Sequence, residues 1–222
     1  MQKRMERPET GSKSPRTRGR PRAFDRDVAL AQATRLFWEK GYEATSITDL
    51  AQAMGIGSPS LYAAFGSKAE LYTEALRHYA ETNEHIVWAQ FHAAATAREA
   101  VAAFLMDSAA ALTGGVGEAP RGCMITLSAV GSEGYSDLGE MVRSARGLTL
   151  ERLATRLSRA VVDGEIAAST DLGALARFVQ AVQAGMSILA RDGVRQSELE
   201  AMAEVAMSGW DARTQAMANK SA

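Results

Sequence analysis

The chain has 222 residues, 46% hydrophobic and 23% charged, with one cysteine and a formal net charge of −1. This is an ordinary globular composition, long enough for one large or two small domains. No uncharged apolar run approaches the roughly 20 residues a membrane helix needs, the basic N-terminus lacks the apolar stretch of a secretory signal, and a lone Cys123 excludes an internal disulfide.

The charge is unevenly placed. Residues 1–70 hold 12 Lys+Arg against 8 Asp+Glu, and residues 71–222 hold 13 against 18. A basic front and an acidic body predict that only the front meets a polyanion. The single cysteine suits a reducing compartment, so a cytoplasmic location is expected.

Residues 1–24 are polar and basic without apolar periodicity, which predicts a disordered arm. Within it, Arg18-Gly19-Arg20-Pro21-Arg22 could lie along a narrow minor groove, or could add only counterion release; both point to nucleic acid. Asp25 is placed to cap a helix running to about Lys40, with Ala29, Ala33, Leu36 and Phe37 inward. Gly41 ends it.

Ser46 to Phe65, SITDLAQAMGIGSPSLYAAF, reads as two short helices joined by a tight turn. Ser46 and Asp49 have capping-box spacing, and Ile47, Leu50, Ala51 and Met54 share one face. Gly55 supplies a left-handed stop. Ser58 is expected to cap the second helix with Pro59 at its first position. Leu61, Ala64 and Phe65 face inward, leaving Ser60, Tyr62 and Ala63 outward. This is helix-turn-helix spacing, whose second helix enters the major groove, although an ordinary helical hairpin needs similar caps. Thr45 and Ser46 stand at a helix N-terminus, where amides suit phosphate. Ser67-Lys68-Ala69-Glu70 is another capping box, and Lys68 in its first turn opposes the macrodipole unless a phosphate lies near.

The stretch AQATRLFWEKGYEATSITDLAQAMGIGSPSLYAAFGSKAELY, Ala31 to Tyr72, resembles the TetR family of bacterial transcriptional regulators. The resemblance implies an all-α fold: a helix-turn-helix DNA-binding domain over residues 25–72, then a helical ligand-binding and dimerisation domain over residues 73–222. It implies phosphate contacts at Thr45, Tyr62 and Lys68, and base or groove contacts among Gly57, Ser58, Pro59, Ser60 and Ala63. Many members carry a bulky aromatic or histidine at the places of Ala63 and Ala64. Small residues there can touch a thymine methyl but cannot make a bidentate hydrogen bond.

The next helix is expected from Lys68 to about Ala94. His78, His85 and His92 share one of its faces, but seven residues of helix rise about 10.5 Å, so no two can hold one metal ion. Another helix is expected over Arg98–Thr113, followed by a glycine-rich loop to Gly122. Cys123, next to Arg121, reads either as a small buried side chain or as a redox or electrophile sensor; the resemblance assigns it no role. Long helices are expected over about Asp137–Val162, Asp171–Arg191 and Gln196–Ala216, giving about nine in all. The family resemblance implies that the last two pair with those of a second subunit.

The expected function is a ligand-released repressor that binds a near-palindromic operator as a homodimer. It needs double-stranded DNA and a small apolar or amphipathic effector, and no cofactor or metal. Candidate lining residues are Trp88, Phe91, Phe104, Cys123, Met124, Leu127, Met141 and Phe178. An architectural DNA-binding protein and a regulator responding through Cys123 are the alternatives. No nucleophile–base pair, metal-ligand cluster or nucleotide loop points to an enzyme.

Overall fold

The computed structural model describes residues 24–114, 119–131 and 134–214. Among the described residues there are nine α-helices and no strand: α1 (Arg26–Lys40), α2 (Ile47–Ala53), α3 (Ser58–Phe65), α4 (Lys68–Ala93), α5 (Ala97–Leu112), α6 (Met124–Leu127), α7 (Ser136–Val162), α8 (Leu172–Arg191) and α9 (Gln196–Thr214). Arg18, Arg20 and Arg22 lie outside the described residues.

Local chemistry sets the helix starts. Asp25 accepts from the amides of Asp27 and Val28 at 3.0 and 3.2 Å. Ser46 and Asp49 form a reciprocal capping box, at 3.0 and 3.1 Å, as do Ser67 and Glu70 at 3.1 and 2.7 Å. A third box joins Thr96 and Glu99 and starts α5 at Ala97, one residue before the expected Arg98. Gly55, with φ of 65°, makes the turn between α2 and α3.

Two expectations change. Ser58 does not cap α3: Gly57 is the cap residue, Ser58 is the first helical position, and no side chain caps that end. The segment after Gly122 contains α6, a four-residue helix too short for apolar periodicity to reveal. The Cys123 sulfur caps it, accepting from the Thr126 amide at 3.5 Å.

Two apolar clusters hold the molecule. One gathers α1 to α4 around Phe37, Leu50, Leu61, Phe65 and Leu71. It does not stop at residue 72, because Met124, Val130, Leu138 and Val142 are buried in it too. The other fills the body, with Phe104, Leu153, Leu157, Met186 and Trp210 among its buried members. Each such side chain contributes roughly 1.5–3 kcal/mol when fully buried.

By length and composition alone, α8 is apolar enough to cross a membrane, with mean hydropathy 1.3. Here Leu175, Val179 and Met186 face the core, packed among α5, α7 and α9, while Phe178 and Ile188 are exposed.

Replacing Ser46 with Ala removes the N-cap of α2 and should cost about 1 kcal/mol of stability at pH 7. Hydrogen bonds from the Ser46 amide and hydroxyl hold the Asp49 carboxyl below its usual range. A lowered folded-state value stabilises above the unfolded value and is lost as pH falls through the carboxylate range. Urea unfolding at pH 7 and pH 3 should therefore show the gap between native protein and Ser46→Ala shrinking at pH 3. A gap that widens at pH 3 would contradict this.

Candidate nucleic-acid interface and ligand cavity

The helix α3 stands on the head with Leu61 and Phe65 buried beneath it. Pro59, Ser60, Tyr62 and Ala63 are exposed on its outer side, Tyr62 by 50%, and Ser58 is half-buried. Gly57 is exposed, and a Cβ there would meet only Pro59 Cδ at 3.7 Å, an ordinary contact. Among the described residues nothing requires glycine at that place.

Ser46 is exposed beside this surface. Its amide donates to the Asp49 carboxylate, and its hydroxyl accepts from the Asp49 amide and also bonds to that carboxylate. Thr45 differs from the expected phosphate contact. It is fully buried, and its hydroxyl donates to the Gly41 carbonyl at 2.6 Å. Its side chain braces the α1–α2 turn from within and offers no surface to DNA.

The cations of the described head are engaged within the protein. Arg26 pairs with Glu74 at 2.7 Å and lies over the Phe65 ring. Arg35 pairs with Glu39 at 2.9 Å, and Lys40 with Asp49 at 3.8 Å. Lys68 sits 4.3 Å from the centroid of the Tyr42 ring. That cation–π contact accounts for a lysine in the first turn of a helix, where the macrodipole opposes it. Tyr42 also meets Phe37, Tyr72 and Tyr135, with centroids 6.2, 5.0 and 4.9 Å away. Burial, with Glu43 beside it, pushes its phenol above the usual value.

Below the head lies a cavity of about 880 Å³, within the roughly 300–1,000 Å³ range of small-molecule sites. Trp88, Phe104 and Cys123 line it, together with Trp38, Tyr79 and Ser108. The other expected lining residues lie elsewhere. Phe91 is buried behind the wall, edge-on to Trp88 with centroids 5.0 Å apart. Met124 is buried in the head cluster, and Met141 packs against that cluster. Leu127 is half-buried outside the cavity. Phe178 is 42% exposed on α8. His78, His85 and His92 do not converge with other ligands: among the described residues no group of three His, Cys, Asp or Glu could hold a metal.

Head and cavity share a seam. Trp38, near the end of α1, donates its indole hydrogen to the Gly122 carbonyl at 2.8 Å and meets the Tyr79 ring edge-on at 4.8 Å. From the end of α8, Arg191 donates to the carbonyls of Trp38 and Glu39 at 2.9 and 3.2 Å. Arg121 donates to Ala190 at 2.8 Å and also to the Val194 carbonyl. The Cys123 amide donates to Ser187 Oγ at 2.8 Å. Gly122 has φ of 80°, and a Cβ there would lie 2.8 Å from the Ser187 carbonyl, so this strand of the seam demands glycine. Burial and the adjacent Cys123 hold the Tyr79 phenol well above its usual value.

A helix-turn-helix head joined through its first helix to a hollow helical body defines a DNA-binding regulator. Residues 29–75 match the family described as "Bacterial regulatory proteins, tetR family". The chain is 34% identical over 197 residues to the HTH-type transcriptional repressor ComR of Escherichia coli (strain K12), spanning 88% of this chain and 93% of that one. It is 46% identical over 70 residues to the repressor BdcR of the same organism, 32% of this chain and 36% of that one. A solved structure of a cysteine-substituted TetR family transcriptional regulator CifR, complexed with 26-bp double-strand operator DNA, superposes with a TM-score of 0.80. It is 40% identical and covers 86% of this chain and 98% of that one. The chain belongs to the TetR family of transcriptional regulators.

Arg191→Gln removes two charged donors from the last carbonyls of α1. It should cost about 2 kcal/mol in urea unfolding and speed amide exchange in the last turn of α1. Native stability together with native exchange would contradict the bracing role.

Proposed function

We propose that this regulator is a cytoplasmic repressor that binds a near-palindromic operator as a homodimer and is released by a small apolar or amphipathic molecule. The observation that carries the reading is the 2.8 Å bond from Trp38 to Gly122, since Trp38 and Cys123 also line the cavity. An occupant therefore touches the residues that hold the head. Release follows if the occupant binds better to a conformer whose recognition helices no longer fit the operator.

Two α3 helices read half-sites about 34 Å apart or a multiple of it. Ser58, Pro59, Ser60 and Ala63 meet base edges and groove walls, and bare Gly57 lets the DNA backbone approach. Ser46, Tyr62 and Lys68 meet phosphates. The head cations are already engaged, so Arg18, Arg20 and Arg22 supply much of the counterion release. Exposed Phe178 on α8 and Val205 on α9 support pairing of those helices with a second copy. The repressor name of ComR supports the sign of regulation, and operator-bound CifR supports the DNA partner.

Selection of random duplexes by the purified protein at physiological salt should enrich an inverted repeat. Replacing Arg18, Arg20 and Arg22 by Gln, six charges in a dimer, should keep that repeat while lowering the slope of log affinity against log salt by about 5. Enrichment of A·T content alone, or of nothing, would overturn this reading in favour of an architectural protein.

A further inference from the structure

The cavity wall carries charge opposite to that of the body around it. Residues 71–222 hold 13 Lys+Arg against 18 Asp+Glu. The wall holds four arginines, Arg143, Arg146, Arg152 and Arg177, and one carboxylate, Glu84. Arg152 is neutralised by Glu84 at 2.8 Å, and Arg143 pairs with Glu140 at 2.6 Å. Among the described residues, neither Arg146 nor Arg177 has a carboxylate within ion-pair distance.

These two charges are held in place without being cancelled. Arg146 on α7 donates to the carbonyls of Ile125, Thr126 and Ser128 at 3.1, 3.0 and 2.5 Å. Carbonyl dipoles fix a guanidinium but leave its net charge in place. Among the described residues, Arg177 on α8 has only the Gln180 side-chain oxygen, at 3.4 Å. Gln180 in turn donates to the Arg146 carbonyl at 2.9 Å, so one side chain ties the two arginine-bearing turns together.

The remaining wall is different in kind. Trp88, Phe104 and Leu112 are buried and apolar. Among them Ser108 is 1% exposed, and its hydroxyl has no hydrogen-bond partner among the described residues. Buried hydroxyls are nearly always satisfied, so an orphan in a cavity wall marks a place for a polar atom of an occupant.

We infer that the cavity takes a single-chain anionic amphiphile. Its carboxylate or phosphate head meets Arg146 and Arg177, its apolar chain lies against Trp88 and Phe104, and an oxygen on the chain can answer Ser108. This names the ligand class for the proposed release mechanism and rests on that reading for its biological consequence, but binding is measured without DNA.

The test uses the full chain and four probes with one ten-carbon tail: decanoate, decyl phosphate, 1-decanol and decyltrimethylammonium, each below its micelle concentration. Trp38 and Trp88 line the cavity, so their fluorescence reports occupancy, and calorimetry gives affinity. At least one anion should bind about tenfold or more tighter than the alcohol, and the better of the two identifies the head group. Arg177 is exposed with one long hydrogen bond, so Arg177→Gln should fold normally. It should cut the anions' advantage over the alcohol to about threefold, and Arg177→Glu, which sets a carboxylate against Arg146, should abolish that advantage. Equal or tighter binding of the alcohol, no binding of any probe, or an undiminished anion preference in Arg177→Gln would overturn the assignment. If an anion binds as expected but leaves operator affinity unchanged, the ligand class stands and the release reading fails.

Discussion

The last carbonyls of α1 have no acceptor role left within their own helix, and the rest of the molecule is arranged around who takes them. A helix leaves its final four carbonyls unpaired, at the negative end of its dipole. Here Arg191, 153 positions beyond Trp38 in the chain, supplies the donors and the opposing charge. The DNA-reading head is thus braced by the end of α8. Arg121 binds the same end of α8 from another side, and Gly122 accepts the Trp38 indole. Three distant stretches meet at one junction, and Trp38, Cys123 and Tyr79 of that junction are also cavity wall. The Tyr79 phenol, raised by burial and by Cys123, stays neutral through the physiological range. Tyr79 titration therefore adds no charge to the junction in that range.

The head divides its labour between shape and charge. α3 presents small and weakly polar groups, and the described cations around it are tied to Glu74, Glu39, Asp49 and the Tyr42 ring. These bonds hold the helices in the relative placement that reading a groove requires. In the proposed function, long-range attraction falls to the basic residues before Phe24, so contacts that position and contacts that attract sit on separate parts of the chain.

The helices were legible in the sequence because their signals are local. Capping boxes at Ser46 and Ser67, the Gly55 stop and the apolar faces of α4 and α7 each lie within a few turns. The Thr96–Glu99 box has the same spacing and starts α5 one residue before the apolar face suggests. α6 was hidden by its length, since four residues show no period. The cavity was only partly legible. Trp88 and Phe104 stand out as large apolar residues, but periodicity cannot tell which side of a wide stripe meets a void. Phe91 and Met124 went into the core, and Phe178 went to the surface. The seam could not be read at all, because Trp38, Arg121 and Arg191 carry no mark of their long-range partners. Thr45 shows a further limit: its position by the helix start suggested a phosphate contact, while its methyl and hydroxyl are drawn inward by the Gly41 carbonyl.

The coupling between head and cavity is tested most directly by amide hydrogen exchange of the full chain with and without the duplex it selects. Coupling free energies of about 1–3 kcal/mol correspond to roughly fivefold or larger changes in local opening. Exchange should change by that much in α3, and also at residues 121–127 and in the last turn of α8, which lie on the cavity side of the seam. Changes confined to residues 24–72 would contradict a head and cavity that act through one junction.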